Sequence, residues 1–170
     1  MKHVRLRAME PEDLDLLYRI ENDSQLWDVG ATNVPYSRYL LHEFILNATG
    51  DIYSDRQVRL MIENEEGEVV GIADVMNFDP RHLRAELGIV IERPYRRQGY
   101  ATDALRQIAE YAKTVLHLHQ LYAFIGCDNQ PSVELFSKAG FTQGHELKDW
   151  LYDGQNYHAA IIVQYLLNKC

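Results

Sequence analysis

Arg96, Arg97 and Gly99 stand between an apolar run, residues 84–91, and a helical repeat that begins near Tyr100. A strand that turns through glycine into a helix aims bare peptide N–H groups outward, and the helix start carries roughly half a positive charge. The two guanidiniums add formal charge, and the missing Cβ of Gly99 lets a ligand approach the backbone. Such a segment is a pyrophosphate cradle, or else an ordinary strand-to-helix connection with two solvated arginines. It has neither the G-x-x-x-x-G-K-S/T phosphate loop nor the three glycines of a dinucleotide fingerprint.

Other chemistry-bearing residues form no site by themselves. His42-Glu43-Phe44-Ile45-Leu46 opens like a zinc-protease helix, but Leu46 stands where the second His is required. His117 and His119 close a helical stretch, where they interact with its dipole rather than bind a metal. No metal site is expected. His158 lies on the last hairpin, where it lines an acceptor side or is a plain strand histidine. Cys127 follows a buried strand and reads as an inert thiol.

The elements that position these residues follow from periodicity. Residues 3–8 alternate basic and apolar as a short strand, and Glu10-Pro11-Glu12-Asp13 starts a helix that Asn22-Asp23-Ser24 ends. Residues 25–36 read as irregular. A second helix starts near Ser37, and residues 47–55 are expected to be a loop. Residues 57–64, with Val58, Leu60 and Ile62 on one face, then 69–77 and 84–91, make a three-stranded meander. The helix from Tyr100 is patterned through Ala101, Ala104, Leu105, Ile108, Ala109, Ala112, Val115 and Leu116. Residues 120–125 form a buried strand and 130–138 a helix that Gly140 caps. The remainder is a strand pair about Asp153-Gly154. The expected order is β-α-α-β-β-β-α-β-α-β-β. This is an α+β fold with a mixed, mostly antiparallel sheet of about seven strands and about four helices.

The 170 residues form a single expected domain, and 17 basic against 25 acidic side chains give a net charge of −8. That balance argues against binding a nucleic acid backbone and is compatible with cationic partners such as amines. Eleven Tyr, five Phe and two Trp argue against disorder. No apolar run is long enough for a membrane span, and Met1 to Arg7 lack the pattern of a secretory signal. The two cysteines, Cys127 and Cys170, make no disulfide framework. A cytoplasmic location is expected, and a homo-oligomer stays open.

Arg96-x-x-Gly99-x-Ala101 resembles the acetyl-CoA motif of the GNAT N-acetyltransferases: Gln or Arg, then x-x-Gly-x, then Gly or Ala. The likeness covers nearly the whole chain. The motif follows a meander, Asn129 and Ser132 follow the next strand, and Leu135-Phe136-Ser137-Lys138-Ala139-Gly140-Phe141 resembles the family's Y-x-K-x-G-F segment. Val4-Arg5-Leu6-Arg7, Arg84-Ala85-Glu86 and Asp153-Gly154-Gln155 are similar to the branch of the ribosomal-protein and spermidine/spermine acetyltransferases. The resemblance implies a GNAT fold whose sheet opens as a V between residues 84–91 and 120–125, with acetyl-CoA as donor. Main-chain groups of Ile89, Val90 and Ile91 would pair with the pantetheine arm. Arg96, Arg97, Gln98, Gly99, Tyr100, Ala101 and Thr102 would hold the pyrophosphate. Asn129 would bond the pantetheine, Ser132 and Lys138 would lie near the phosphates, and Phe136 would stand beside the cofactor.

The implied reaction is direct transfer of acetyl to a primary amine, either a small polyamine or amine or a protein N-terminal amine. It needs a base for the amine proton and donors for the oxyanion. Glu86 is the candidate base or substrate contact, or a strand glutamate balancing Arg84; the main-chain N–H of Val90 is the candidate oxyanion donor. Where the family often places a Tyr acid, this chain has Phe136. Tyr122, Tyr152, Tyr157 or Cys127 would substitute, or be structural. The stretch 32–36 lacks the carboxylate pair of the polyamine enzymes, with Asp28 and Glu43 nearby. A non-catalytic acyl-CoA-binding module is the alternative reading.

Overall fold

The computed structural model describes residues 2–24 and 34–168. Asp28, Thr32, Asn33 and Cys170 lie outside them. Among the described residues are seven strands and five α-helices: β1 (Arg5–Ala8), α1 (Leu14–Glu21), α2 (Arg38–Asn47), α3 (Ile52–Asp55), β2 (Val58–Glu63), β3 (Val69–Asp79), β4 (Arg84–Ile91), α4 (Tyr100–Thr114), β5 (Gln120–Gly126), α5 (Gln130–Lys138), β6 (Thr142–Tyr152) and β7 (Tyr157–Leu166). The strands form one sheet in the order β1-β2-β3-β4-β5-β7-β6. Only β4 and β5 run parallel, because α4 carries the chain from one to the other. The α+β expectation and the seven strands agree with this.

Alternation along the strands sends side chains to two cores. Ala85, Leu87, Leu121, Ala123 and Ile125 face the α4 and α5 side, packed on Leu105 and Ile108. Met61, Ile72 and Val90 face the other side, under Leu17 and Ile20 of α1 and Leu41 and Ile45 of α2. Both faces are therefore covered, which is why Met61 and Ile62, neighbours of opposite orientation, are equally buried. Val58, Leu60 and Ile62 supply only one of β2's two apolar faces.

Three expectations change. Residues 47–55 hold the one-turn helix α3. The Asp51 carboxylate accepts from the Tyr53 N–H at 3.0 Å and from Ser54 Oγ at 2.8 Å, and Asp55 accepts from the N–H and hydroxyl of Thr49, each at 2.9 Å. A helix of one turn shows no periodicity, so only its capping marks it. Second, α4 ends at Thr114, not Leu116; Val115 is 59% exposed, and a left-handed His117 (φ 54°) turns the chain toward β5. Third, β3 runs on to Asp79 through a bulge, two residues past the expected end.

Buried polar groups tie the edges of this frame together. The Asp103 carboxylate, in the first turn of α4, accepts from the Val4 N–H at 3.0 Å, from Arg106 at 2.6 Å and from Gln107 at 2.8 Å. Arg7 bridges Asp13 (2.8 Å) and Glu63 (2.7 Å). Arg59 grips Asp74 at 2.7 and 3.1 Å and Glu21 at 2.7 Å, joining α1 to the middle of the sheet. No helix of the described residues is long and apolar enough to cross a membrane.

Candidate active site

The β4–β5 ladder is three residues long: Arg84, Ala85 and Glu86 pair with Gln120, Leu121 and Tyr122. Beyond Glu86 the strands part. β4 stays paired with β3 through Ile91, and β5 stays paired with β7 through Gly126. The facing edges of the two central strands are left without a strand partner, and the sheet opens as a V.

Register shows which peptide groups line this gap. The Glu92 N–H bonds the Val70 carbonyl at 2.9 Å, so the even-numbered residues of β4 aim their backbone at β3. The odd-numbered ones aim at β5, and the Leu83 carbonyl accordingly accepts from the His119 N–H at 2.6 Å. Leu87, Ile89 and Ile91 therefore present their N–H and C=O groups to the gap, and the backbone of Val90 points away from it. This corrects the expectation for Val90. From the opposite wall, the Cys127 N–H bonds the Ala159 carbonyl at 3.0 Å, which leaves the alternate residues Phe124 and Gly126 facing the gap.

The wide end of the V meets the β4–α4 loop. After a short turn at Arg93–Tyr95, Arg97 (φ 60°) and Gly99 (φ 93°) both take left-handed conformations, and α4 begins at Tyr100. Gly99 is the helix N-cap and supplies no side-chain cap, so the first N–H groups of α4 stay open to a ligand. Arg96, Arg97, Gln98 and Gly99 are all exposed. The loop is braced by its own side chains: Arg96 Nε donates to the gap-facing Ile91 carbonyl at 2.8 Å and Gln98 Nε2 to the Pro94 carbonyl at 2.9 Å. A Cβ on Gly99 would touch nothing within 4 Å, so the glycine is there for its dihedral and for ligand access rather than for internal packing. An uncapped helix start beside two arginines, continuous with an unpaired strand edge, fits a diphosphate followed by an amide-bearing arm.

The second wall ends at α5. Asn129 caps that helix, its Oδ1 accepting from the Ser132 N–H at 3.3 Å. These two residues sit together, whereas Lys138 is exposed at the far end of α5, about 9 Å along the axis at 1.5 Å per residue. Phe136 is buried against Phe141, ring centroids 5.0 Å apart.

At the closed end of the V, Glu86, Met76 and Tyr122 share the α1/α2 face of the sheet. One Glu86 oxygen accepts from Asn77 Nδ2 at 2.7 Å. Arg84 pairs instead with Asp79 at 3.2 Å, so Glu86 is not its counter-ion. Burial, and then the Glu86 charge, push the Tyr122 phenol above its usual value. Tyr122 continues into an aromatic ladder with Phe124 (5.7 Å) and Trp150 (5.3 Å). The sequence carried no sign of Asn77 or of this ladder, since both depend on pairing across strands.

The remaining candidates lie elsewhere. Tyr152 and Tyr157 stack on each other at 4.9 Å at the tip of the last hairpin, with the Tyr152 hydroxyl donating to the Gly154 carbonyl. His158 contacts Asp153 at 2.6 Å in the same hairpin. Burial and then Glu146 push the Cys127 thiol up, which keeps it un-ionised. Among the described residues no cluster of three or more His, Cys, Asp or Glu side chains could hold a metal ion.

The sheet splays between two parallel strands, and an uncapped helix start beside two arginines stands at the splay. Residues 3–142 match the family described as Acetyltransferase (GNAT) domain, and the chain belongs to that family. It is an N-acetyltransferase that uses acetyl-CoA to acetylate an amine. Among its relatives is the spermidine N(1)-acetyltransferase of Escherichia coli (strain K12), 28% identical over 163 residues, 93% of this chain and 83% of the relative. The Vibrio cholerae spermidine N(1)-acetyltransferase is 24% identical over 151 residues, 88% of this chain and 86% of the relative. In fold, the chain is similar to the Vibrio cholerae spermidine N-acetyltransferase solved with CoA and spermine: TM-score 0.85, 22% identity, 97% of this chain and 96% of that one.

Proposed function

We propose that this enzyme acetylates a primary amine of a polyamine-like cation, with Glu86 as the base. The observation that carries this reading is the position of Glu86, the last paired residue before the sheet opens. An acyl group lying in the gap would end beside it. Asp74 and Asp79 on the neighbouring strand are each paired with an arginine, Arg59 and Arg84, which leaves the Glu86 carboxylate to meet a cationic acceptor. The spermidine acetyltransferases among its relatives act on such an amine.

Acetyl-CoA supplies the acetyl group as a thioester. The open N–H groups at the start of α4, with Arg96 and Arg97, would hold its diphosphate, and Ile89 and Ile91 would bond its arm as a strand would. Asn129 adds a side-chain amide from the other wall. Glu86 takes a proton from the bound ammonium, directly or through one water, and the free amine so formed attacks the thioester carbonyl, after which the C–S bond breaks and CoA leaves as thiolate. The Ile89 N–H, unused by the sheet and aimed into the gap, would donate a hydrogen bond to the oxyanion that develops on the acetyl oxygen, leaving the Ile89 carbonyl for the arm. Phe136 donates nothing from its buried position. A thiol ionises near pH 8.5, so the departing sulfur needs little help. Tyr122, kept protonated, is the nearest phenol to Glu86 in the strand register.

The test is release of free CoA, followed with a thiol reagent, against spermidine, spermine, simple monoamines and a peptide with a free α-amine. Turnover with the polyamines, saturating at lower concentration than the monoamines, supports the proposal. Turnover confined to the peptide moves the acceptor class to protein N-termini. Tight acetyl-CoA binding with no turnover on any amine supports the non-catalytic module that the buried Phe136 would suit.

A further inference from the structure

Asn77 sits in the bulge of β3. Met76 pairs with Glu86 and Asp79 with Arg84, so two residues, Asn77 and Phe78, stand opposite the single residue Ala85. Asn77 takes a left-handed conformation (φ 51°), which asparagine tolerates better than other side chains bearing a Cβ. Phe78 fills the core instead, and its N–H bonds the Arg56 carbonyl at 3.1 Å. The extra residue therefore releases the Asn77 side chain from strand alternation and lets it reach Glu86. A carboxylate only accepts hydrogen bonds, so the 2.7 Å contact is a donation from Nδ2 to Glu86 Oε2.

We propose that Asn77 is the positioning residue for the Glu86 base. Its amide fixes the carboxylate rotamer and occupies Oε2, which leaves Oε1 to take the proton of the amine. The proposal rests on the reading of Glu86 as base. Among the described residues, the strands beside that carboxylate bring these charged and titratable groups toward it. Tyr122 faces it from β5. On β3, Asp74 is held by Arg59 and Asp79 by Arg84. His82 lies in the turn beside Asp79, where its charge acts on that carboxylate.

Two variants separate the amide from the backbone. Asn77→Gly keeps the left-handed turn and removes the donor. Asn77→Asp keeps the shape and sets a second carboxylate against Glu86. With the full-length enzyme and a turned-over amine, Asn77→Gly is expected to lower kcat about 10-fold with the acceptor KM little changed, less than the 10²- to 10⁴-fold that general-base catalysis is worth, because the base itself remains. Asn77→Asp should raise the acidic limb of the kcat/KM profile by about one pH unit, because a like charge disfavours ionisation. In the Glu86→Gln background neither change should matter. An unmoved limb in Asn77→Asp, while Glu86→Gln alone abolishes it, would overturn the role of Asn77 and leave the base intact. A limb unmoved by Glu86→Gln itself would remove the base, and the positioning role with it.

Discussion

Glu86 of β4 and Tyr122 of β5 are the last residues in register before the two strands part. The carboxylate that would take a proton and the phenol that would keep one thus stand at the vertex of the V. Side chains at this point keep strand rigidity on one side and face an open gap on the other, which is what a reacting geometry requires.

Glu86→Gln keeps the shape of the side chain and removes its capacity to accept a proton. The expected loss in kcat at pH 7 is about 10²- to 10⁴-fold. Residual activity should climb with pH, as free amine forms without help. Steady-state rates from pH 6 to 10 check this; a profile parallel to that of the unmodified enzyme would take Glu86 out of the mechanism.

Tyr122→Phe tests the other side of the vertex. The phenol stays protonated through the neutral range because burial, and then the charge of Glu86, raise it. With a thiolate as leaving group the expected cost is small, under about 10-fold in kcat/KM. A loss of about 10³-fold would make Tyr122 the proton donor that replaces the buried Phe136.

Arg59 couples α1 to the sheet through Glu21 and Asp74, and its guanidinium lies 5.4 Å from the Phe44 ring of α2. Arg59→Met removes the guanidinium that bridges two part-buried carboxylates. A loss of about 3 kcal/mol is expected, which lowers Tm by roughly 6–12 °C for a chain of this size. Thermal unfolding followed by circular dichroism reads this directly, and an unchanged Tm would mean that the triad contributes nothing net.

Acid stability follows from two buried carboxylates. Burial pushes Asp13 up, but Arg7 and the Glu10 N–H outweigh it and hold the carboxyl below its usual value. Asp103 behaves likewise under Arg106, Val4 and Gln107. Each folded-state value lies below the unfolded one, near 3.9. Their contribution is therefore full above about pH 4 and is lost as pH falls further. Tm measured from pH 7 to 2.5 should hold to about pH 4 and then drop. Arg7→Met should start lower and drop less.

The parts of this fold that repeat were legible in the sequence, and so was the loop that leads into α4. Ala104, Leu105 and Ile108 mark α4 by spacing, and Arg96 to Ala101 mark the loop before it. Expectation and structure part where the cause is not periodic. One capped turn at Ile52–Asp55 has no repeat to read, and the bulge at Asn77 and Phe78 breaks the alternation that would reveal a strand. Arg59 with Glu21 and Asp74, and Asp103 with Val4, join residues far apart in the chain, so no local pattern announces them. Which peptide groups face the gap turned on strand parity. A shift of one residue separates Val90 from Ile89, and only the register resolves it.

Calorimetric titration with acetyl-CoA bears most directly on the site, run on the unmodified chain and on Gly99→Glu. The introduced carboxylate side chain would meet no protein atom at its Cβ, but it would place a strained, negative residue in the loop. The cradle at residues 96–102 predicts one saturable association for the unmodified chain and a loss of at least about 100-fold in the variant, from a few kcal/mol of lost contacts and repulsion. Equal affinity in the two proteins, or no association with either, would contradict the site.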